Sequence, residues 1–295
     1  MSTTKSPADR PGTQCVRALL GAALGLSACA ADPRANASTP EVSSNTTATA
    51  DSRAFQQAYN QQLRDDPVSF LTVVAAHYLA PGDAMAISIT STITHDLEAS
   101  HEALIVRDGA EQQRFEDNAV VTLDARYALS ISRQEADWRV LVHDRDAPQR
   151  ASFRGVTWFP VDARQIVAAT YEAQAPREPM LLQTSRGVSK TLYVAGTATF
   201  ALDGVTARLL VFAYSAEPQP AEPMLIPFRD ATSGTQSYAA GRYLELVAPT
   251  GATLMLDFNR ATNPLCAYSE HYNCPMPPRF NVLPFAVEAG AKRPH

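Results

Sequence analysis

The stretch TATFALDGVTARLLVFAYS, residues 197–215, decides the fold class because it joins two runs of alternating apolar and polar residues through Asp203-Gly204. Alternation with a period of two places the apolar side chains on one face of a strand. Asp-Gly between two such runs is typical of a two-residue turn between antiparallel strands. These residues therefore predict a β-hairpin in the second half of the chain.

Short alternating runs recur on the N-terminal side of this hairpin, separated by turn residues. They are AISIT at 86–90, ALIVRDG at 103–109, AVVTL at 119–123, YALSISR at 127–133, DWRVLVHDR at 137–145, QIVAATYEA at 165–173 and MLLQTSRG at 180–187. The strand-helix alternation of parallel sheets does not occur, and neither does a glycine-rich nucleotide loop. The expected fold is mainly β, an antiparallel β-sandwich or open barrel with one or two N-terminal helices.

The helical pattern is confined to the start of this region. Phe55, Tyr59 and Leu63 follow one another at helical spacing, and Asp51 is a suitable N-cap, so one amphipathic helix is predicted from about Asp51. Residues 68–80 are apolar throughout and fit either a second helix or a buried strand. We favour the helix.

Composition narrows the class of protein further. The chain has 295 residues, of which 45% are hydrophobic, so it can bury a sizeable core. Its formal net charge is −5. Binding to nucleic acid requires a basic face, so nucleic acid is not expected as a partner.

The N-terminus has the features of an export signal. Residues 18–28, ALLGAALGLSA, form an apolar run after Arg17 that is too short to span a bilayer. Leu26-Ser27-Ala28-Cys29 follows and resembles the lipobox of bacterial lipoproteins, in which the cysteine is acylated and becomes the new N-terminus. The alternative is an ordinary secretory signal cleaved after Ala30. We interpret residues 1–28 as a lipoprotein signal peptide.

Residues 29–50 are rich in Ala, Ser, Thr, Asn and Pro and offer little to bury, so they predict a flexible tether carrying a lipid anchor at Cys29. Ala30 stands where lipoproteins retained in the inner membrane have Asp. By that resemblance the protein is exported and anchored to the outer membrane, facing the periplasm. The β-rich globular region is then expected at residues 51–295.

The C-terminal cassette, residues 226–290, contains a series of short motifs. They are Phe228-Arg229-Asp230, Thr232-Ser233-Gly234, Tyr238, Gly241-Arg242-Tyr243-Leu244, Asp257-Phe258-Asn259-Arg260, Asn263-Pro264, Cys266-Ala267-Tyr268, Cys274-Pro275, Pro277-Pro278, Asn281 and Ala289-Gly290. Taken together, these motifs resemble the bacterial family known as domain of unknown function 1684. The resemblance implies a fold and a site location but no reaction. Many members also carry a forkhead-associated pattern, which residues 81–96 lack, so phosphopeptide binding is not implied.

Polar residues of the cassette are the candidates for a binding site. Strands end near Arg242 and Asp257, so these two side chains are expected to pair and to hold a loop that contains Asn259 and Asn263. The alternative is that such residues satisfy buried backbone groups in a long loop. The candidate binding residues are Arg229, Asp230, Ser233, Tyr238, Arg242, Asp257, Asn259, Asn263 and Tyr268.

Cys266 and Cys274 admit three interpretations. An exported protein meets oxidising conditions, so a disulfide that holds residues 267–273 is the first. A metal site that adds His271 is the second, although the fourth ligand is missing from the pattern. A Cys-His nucleophile is the third, and a disulfide would abolish it.

These observations predict an envelope lipoprotein that acts as a ligand-binding or structural module, with a polar pocket beside the disulfide-bonded loop. Its expected partners are the membrane, through Cys29, and a small envelope ligand. No cofactor is expected. The alternative is a hydrolase of a small envelope substrate, with Asp257 and His271 as acid and base.

Acylation of Cys29 is the first testable expectation, because the cysteine follows a short apolar run and precedes a polar segment. Mass spectrometry of the mature N-terminal peptide should find a lipid-modified Cys29. A lipid-free protein beginning at Ala31 would show that the ordinary secretory signal is used instead.

Overall fold

The computed structural model describes residues 40–294 apart from residues 92, 135 and 188. The fold is mainly β, with antiparallel sheets, one nearly closed barrel-like sheet and one long N-terminal helix, as the sequence predicts. The predicted signal peptide, Cys29 and the first part of the tether lie outside the described residues.

Helix α1 spans Pro40–Asp65, so it begins before the expected start near Asp51, and residues 40–50 of the predicted tether are helical. Proline at the first helical position is compatible with a helix, because that residue needs no intrahelical hydrogen-bond donor. Leu63 is buried, and the Tyr59 ring packs edge-on against Trp158 at 5.8 Å. The apolar face of the helix therefore docks on the C-terminal half of the chain.

Residues 68–80 do not form the helix that we favoured. They contain a short 3-10 helix, Phe70–Thr72, followed by strand β1, Val73–Leu79. Strand β1 pairs antiparallel with strand β8, which spans Asp137–Asp144. Val73 lies opposite His143 at one end of this pairing, and Leu79 lies opposite Trp138 at the other. A short apolar run has no decisive period, so its β-branched valines and the available partner strand decide the outcome.

Two four-stranded antiparallel sheets form the N-terminal half. The first has the order β1-β8-β7-β6 and the second the order β2-β3-β4-β5. Their apolar faces share one core around Trp138, so this half is a sandwich. The strands after β1 are β2 Ala84–Ser88, β3 Thr94–Ala99, β4 Leu104–Asp108, β5 Glu111–Phe115, β6 Ala119–Thr122, β7 Tyr127–Gln134 and β8 Asp137–Asp144.

A six-stranded sheet with the order β13-β12-β11-β10-β9-β14 forms the C-terminal half. It curves around a core in which the rings of Phe200 and Phe228 both contact Phe258. A short helix, α2 Pro148–Ser152, precedes this sheet. The strands are β9 Ile166–Gln183, β10 Ser189–Leu202, β11 Val205–Ala213, β12 Pro223–Phe228, β13 Arg242–Val247 and β14 Thr253–Asp257.

The hairpin predicted at Asp203-Gly204 is confirmed, because these two residues connect β10 to β11. Their φ angles are 48° and 78°, which is the conformation that a tight turn between right-twisted strands requires. Asp and Gly tolerate positive φ better than most residues do, so the local sequence determines this turn.

After β14 the chain forms the short 3-10 helices Phe258–Arg260, Leu265–Ala267 and Arg279–Asn281, which are joined by loops. Gly290 has a φ of 76°, and a Cβ there would lie 2.7 Å from the carbonyl oxygens of Phe258 and Ala261. Only glycine allows so close an approach of two backbones. The last segment thus packs directly on the turn that follows β14.

Within the described part of the chain, no helix combines the length and the apolar character needed to cross a membrane.

Candidate functional site

Arg242, at the start of β13, is completely buried, and its guanidinium contacts several groups of the C-terminal loops. Nη2 donates to Asp230 Oδ2 at 2.8 Å and to the carbonyl oxygen of Val287 at 2.8 Å. Nη1 donates to the carbonyl oxygens of Ala289 and Ala291. Burial lowers the pKa of Arg242 from its usual value, and the Asp230 carboxylate opposes that shift. This side chain holds the last segment of the chain in place.

Asp230 is the other half of this buried ion pair, and neither side chain is exposed to solvent. Its Oδ1 accepts hydrogen bonds from the backbone nitrogen and hydroxyl of Thr232, at 2.7 and 2.6 Å, and from the backbone nitrogen of Val287 at 3.3 Å. Ser233 caps the same turn, because its hydroxyl accepts from the Asp230 nitrogen at 3.1 Å. These contacts are intramolecular, so the cluster supports the loops.

The expected pairing of Arg242 with Asp257 is wrong, because Asp230 occupies that position. Asp257 instead accepts from the Ser52 hydroxyl of helix α1 at 2.6 Å and from the backbone and side-chain nitrogens of Asn259 at 3.0 Å. Asp230 and Asp257 both lie near strand ends, so the sequence alone could not show which of the two carboxylates pairs with Arg242. Asp257 thus connects the N-terminal helix to the end of the curved sheet.

Asn259 is fully buried and fixes the segment that precedes β9. Its Oδ1 accepts from the Asp162 backbone nitrogen at 2.9 Å, and its Nδ2 donates to the Asp162 carbonyl oxygen at 2.9 Å. Both bonds resemble those between paired strands. The position of Asp162 is therefore set by Asn259.

The remaining predicted residues lie in different places. The Arg229 residue is exposed. Asn263 is buried and donates to the Tyr268 hydroxyl and to the Lys292 carbonyl oxygen, each at 2.8 Å. Tyr268 stacks on Phe70 with ring centroids 5.1 Å apart, which joins the loop to the N-terminal half.

An open cleft of about 600 Å³ lies on the curved sheet, and none of the predicted binding residues lines it. The turn before β9, the β10–β11 turn and two C-terminal loop segments contribute its walls. The lining residues are Phe159, Pro160, Asp162, Arg164, Gln165, Asp203, Gln236, Phe285, Ala286 and Glu288. Its volume lies within the range of small-molecule sites.

Gln165 is the unusual residue of this cleft. Only 6% of its surface is exposed, and its Oε1 has no hydrogen-bond partner among the described residues. Buried polar atoms are nearly always paired, so this oxygen, which is closed off from the cleft, is an exception among the buried groups of the C-terminal half. Phe159 and Phe285 add apolar surface to the same cleft.

The charges of the cleft are mostly acidic. Arg164 Nη2 lies 2.7 Å from Asp162 Oδ2, and this contact, together with the Arg164 backbone nitrogen, lowers the pKa of Asp162. Arg164 therefore largely neutralises Asp162. Asp203 and Glu288 remain, so the lining has an excess of negative charge.

The comparisons with known proteins concern the region that builds this cleft. Residues 151–292 match the model of the family described as "Protein of unknown function (DUF1684)". The chain belongs to this family. The solution NMR structure of an uncharacterized protein of Haloarcula marismortui is similar at 37% identity and a TM-score of 0.42; the match covers 48% of this chain and 78% of that one. The curated proteins contain no match to the chain.

All residues that line the cleft lie within the DUF1684 region. The residues that line the cleft were not predicted, because they come from four separate segments of the chain. No local sequence pattern connects Gln165 with Glu288. The segment before β9 offered one indication of a site, because the aromatic Phe159 and the acidic Asp162 stand directly before a predicted strand. Asn259 was found, and it supports the cleft through Asp162 without lining it.

The two cysteines of the DUF1684 region, Cys266 and Cys274, lie side by side in the loops that follow β14. Both are free thiols, and the Cys266 backbone nitrogen donates to Cys274 Sγ at 3.3 Å. Among the described residues no group of three His, Cys, Asp or Glu side chains comes together as a metal site, so His271 does not complete one. His271 is half-buried, and its backbone nitrogen donates to Ser269 Oγ at 3.3 Å.

Breaking the Arg242–Asp230 pair should destabilise the protein strongly. Asp230→Asn leaves a buried guanidinium without its counter-charge, which costs about 3–5 kcal/mol of unfolding free energy. Urea unfolding followed by circular dichroism measures this change. The control is Arg208→Gln on the exposed side of β11, which should change stability by no more than about 0.5 kcal/mol. Equal effects of the two substitutions would contradict the role given to the pair.

Proposed function

We propose that the DUF1684 region binds a small amine-bearing molecule in the 600 Å³ cleft, and that the chain is an exported lipoprotein that presents this cleft to the periplasm. The excess of acidic side chains in the lining, Asp203 and Glu288, carries the proposal for the cleft. The lipoprotein pattern ending at Cys29 supports the location.

The class of ligand follows from the groups that line the cleft. Asp203 and Glu288 favour a ligand that carries positive charge and that donates hydrogen bonds to their carboxylates. A protonated amine satisfies both requirements. The phenyl rings of Phe159 and Phe285 provide apolar walls for the carbon atoms of such a molecule.

The alternative function, a hydrolase with Asp257 and His271, receives no support from the described contacts. Asp257 bonds to Ser52 and Asn259 at the end of β14, whereas His271 lies in the loop between the two cysteines. For the exported protein we also propose the disulfide between Cys266 and Cys274 that the sequence predicts, since the two residues are already in contact.

Gln165→Met tests the unpaired amide in the wall of the cleft. The substitution removes a buried polar atom that has no partner, so the free energy of unfolding should stay equal or rise. Thermal melting measures this change, and we expect an unchanged or higher melting temperature. A clearly lower melting temperature would contradict the absence of a partner for this amide oxygen.

Glu288→Gln tests the charge of the cleft without changing its shape. The affinity for putrescine, measured by calorimetric titration, should fall about 1.4- to fivefold, because an exposed charge interaction contributes roughly 0.2–1 kcal/mol. Glu111→Gln, an equivalent change on the exposed edge strand β5, should have no effect. Glutarate, a dianion of similar length, is the control ligand. Binding of glutarate in preference to putrescine would refute the proposed class of ligand.

A further inference from the structure

The two thiols of the DUF1684 region differ in their surroundings. Cys266 lies in the short 3-10 helix Leu265–Ala267 and is partly exposed, whereas 7% of Cys274 is exposed. The backbone nitrogen of Cys266 donates to Cys274 Sγ at 3.3 Å. One thiol is thus accessible, and the other lies behind it.

Cys274 is held in place by the end of β9. Its nitrogen donates to Ser185 Oγ at 3.2 Å, its carbonyl oxygen accepts from the Ser185 nitrogen at 2.9 Å, and Pro275 pairs with Thr184 in an isolated β-bridge. Tyr243 adds a hydrogen bond from its hydroxyl to the Pro275 carbonyl oxygen at 2.6 Å. These contacts fix the position of the Cys274 sulfur, the inner of the two, relative to Cys266.

The hydrogen bonds around the pair place negative charge on the outer sulfur. The Cys274 thiol, the Ser185 hydroxyl and the Tyr238 hydroxyl donate to Cys266 and lower its pKa to about 6, although burial acts in the opposite direction. Hydrogen bonding to Cys266, burial and the charge of Cys266 raise the pKa of Cys274. Cys266 is therefore the more acidic of the two thiols.

The other titratable groups that face the pair are tyrosines. Tyr214, Tyr243 and Tyr272 interact with Cys274, and burial raises the pKa of each of them, so they are neutral at pH 7. Tyr238 is also neutral, since burial and the nearby sulfurs raise its pKa. The thiolate of Cys266 is therefore stabilised by hydrogen bonds from neutral donors.

A small pocket of about 370 Å³ adjoins the outer cysteine, and its lining includes Tyr238, which bonds Cys266, and Ala267, the next residue in the chain. Arg293 is the charged member of this lining. The pocket can hold a small molecule, and its positive charge favours one that carries carboxylates. It shares no lining residue with the larger cleft.

We propose that the Cys266–Cys274 pair is a thiol–disulfide exchange site for small disulfides that carry carboxylates, with Cys266 as the attacking thiol and Cys274 as the resolving thiol. The inference rests on the disulfide pairing proposed above, and it is independent of the cleft that contains Gln165.

The reaction balances as two successive exchanges. The Cys266 thiolate attacks one sulfur of the small disulfide, a mixed disulfide forms, the original sulfur–sulfur bond breaks, and one thiolate leaves. This step removes the negative charge from Cys266, which is one of the causes that raise the pKa of Cys274. Cys274 then loses its proton to solvent and attacks Cys266, and the second thiolate leaves. The protein dithiol is oxidised by two electrons, and the small disulfide is reduced to two thiols.

The experiment uses the full-length protein with Cys15→Ala and Cys29→Ala, so that Cys266 and Cys274 are its only thiols. The protein is reduced, freed of reductant and mixed with oxidised glutathione. Mass spectrometry should show a Cys266–Cys274 disulfide and the release of two glutathione molecules per chain, and reduced glutathione in excess should reverse the reaction. Cys274→Ala should stop at the mixed disulfide on Cys266. In Cys266→Ala the buried Cys274 should react at least about tenfold more slowly.

Two further measurements test the geometry. Alkylation of Cys266 by iodoacetamide should have its midpoint near pH 6, and in Cys274→Ala the midpoint should rise because the first hydrogen-bond donor is lost. Arg293→Gln should slow the reaction with oxidised glutathione about two- to fivefold, as expected for an exposed charge. The same substitution should leave the reaction with neutral hydroxyethyl disulfide unchanged.

Three results would overturn the inference. The first is trapping of the mixed disulfide on Cys274. The second is an alkylation profile of Cys266 equal to that of the protein unfolded in urea. The third is a disulfide that forms but does not exchange with glutathione, which would support the pairing alone. Circular dichroism checks that the variants are folded, and Cys274→Ser, which keeps a hydroxyl donor, serves as the second resolving-thiol variant.

Discussion

The guanidinium of Arg242 lies entirely inside the protein, where each of its nitrogens must find an acceptor or remain unpaired. Asp230 supplies the counter-charge, and the carbonyl oxygens of Val287, Ala289 and Ala291 supply further acceptors. Together with the antiparallel bridge between Ala291 and Trp158, this side chain fixes the terminal segment. The wall of the cleft formed by Phe285 and Glu288 depends on this arrangement, because both residues belong to or adjoin that segment.

Buried asparagine side chains also hydrogen-bond to backbone groups elsewhere in the C-terminal half. Asn281 accepts from the Leu210 nitrogen and donates to the carbonyl oxygens of Leu210 and Pro227, so it joins β11 and β12 beyond their short pairing. Asn259 does the same for Asp162. Side chains replace sheet hydrogen bonds where irregular backbone is buried. These buried polar residues of the cassette therefore build the support, whereas other polar residues, among them Gln236 and Glu288, line the cleft.

The two candidate sites use different chemistry on one scaffold. The cleft combines two phenyl rings with excess negative charge, which suits reversible binding of a cation. The cysteine pair combines an accessible sulfur with a buried proton donor, which suits exchange of covalent bonds. Tyr268 and Tyr272 of the loop between the cysteines contact Phe70 of the N-terminal half. A change in the bonding of the pair would therefore act on the contact between the two halves.

Local patterns were sufficient for the class of fold and for the hairpin at Asp203-Gly204, because strand alternation and turn chemistry act between neighbouring residues. They failed for residues 68–80, where an apolar run fits two structures until a partner strand is present. They also could not identify Asp230, rather than Asp257, as the partner of Arg242. Nor could they predict that Gln165 and Glu288 line the same cleft. These choices depend on contacts between residues far apart in the chain, which only the folded arrangement of the strands and loops creates.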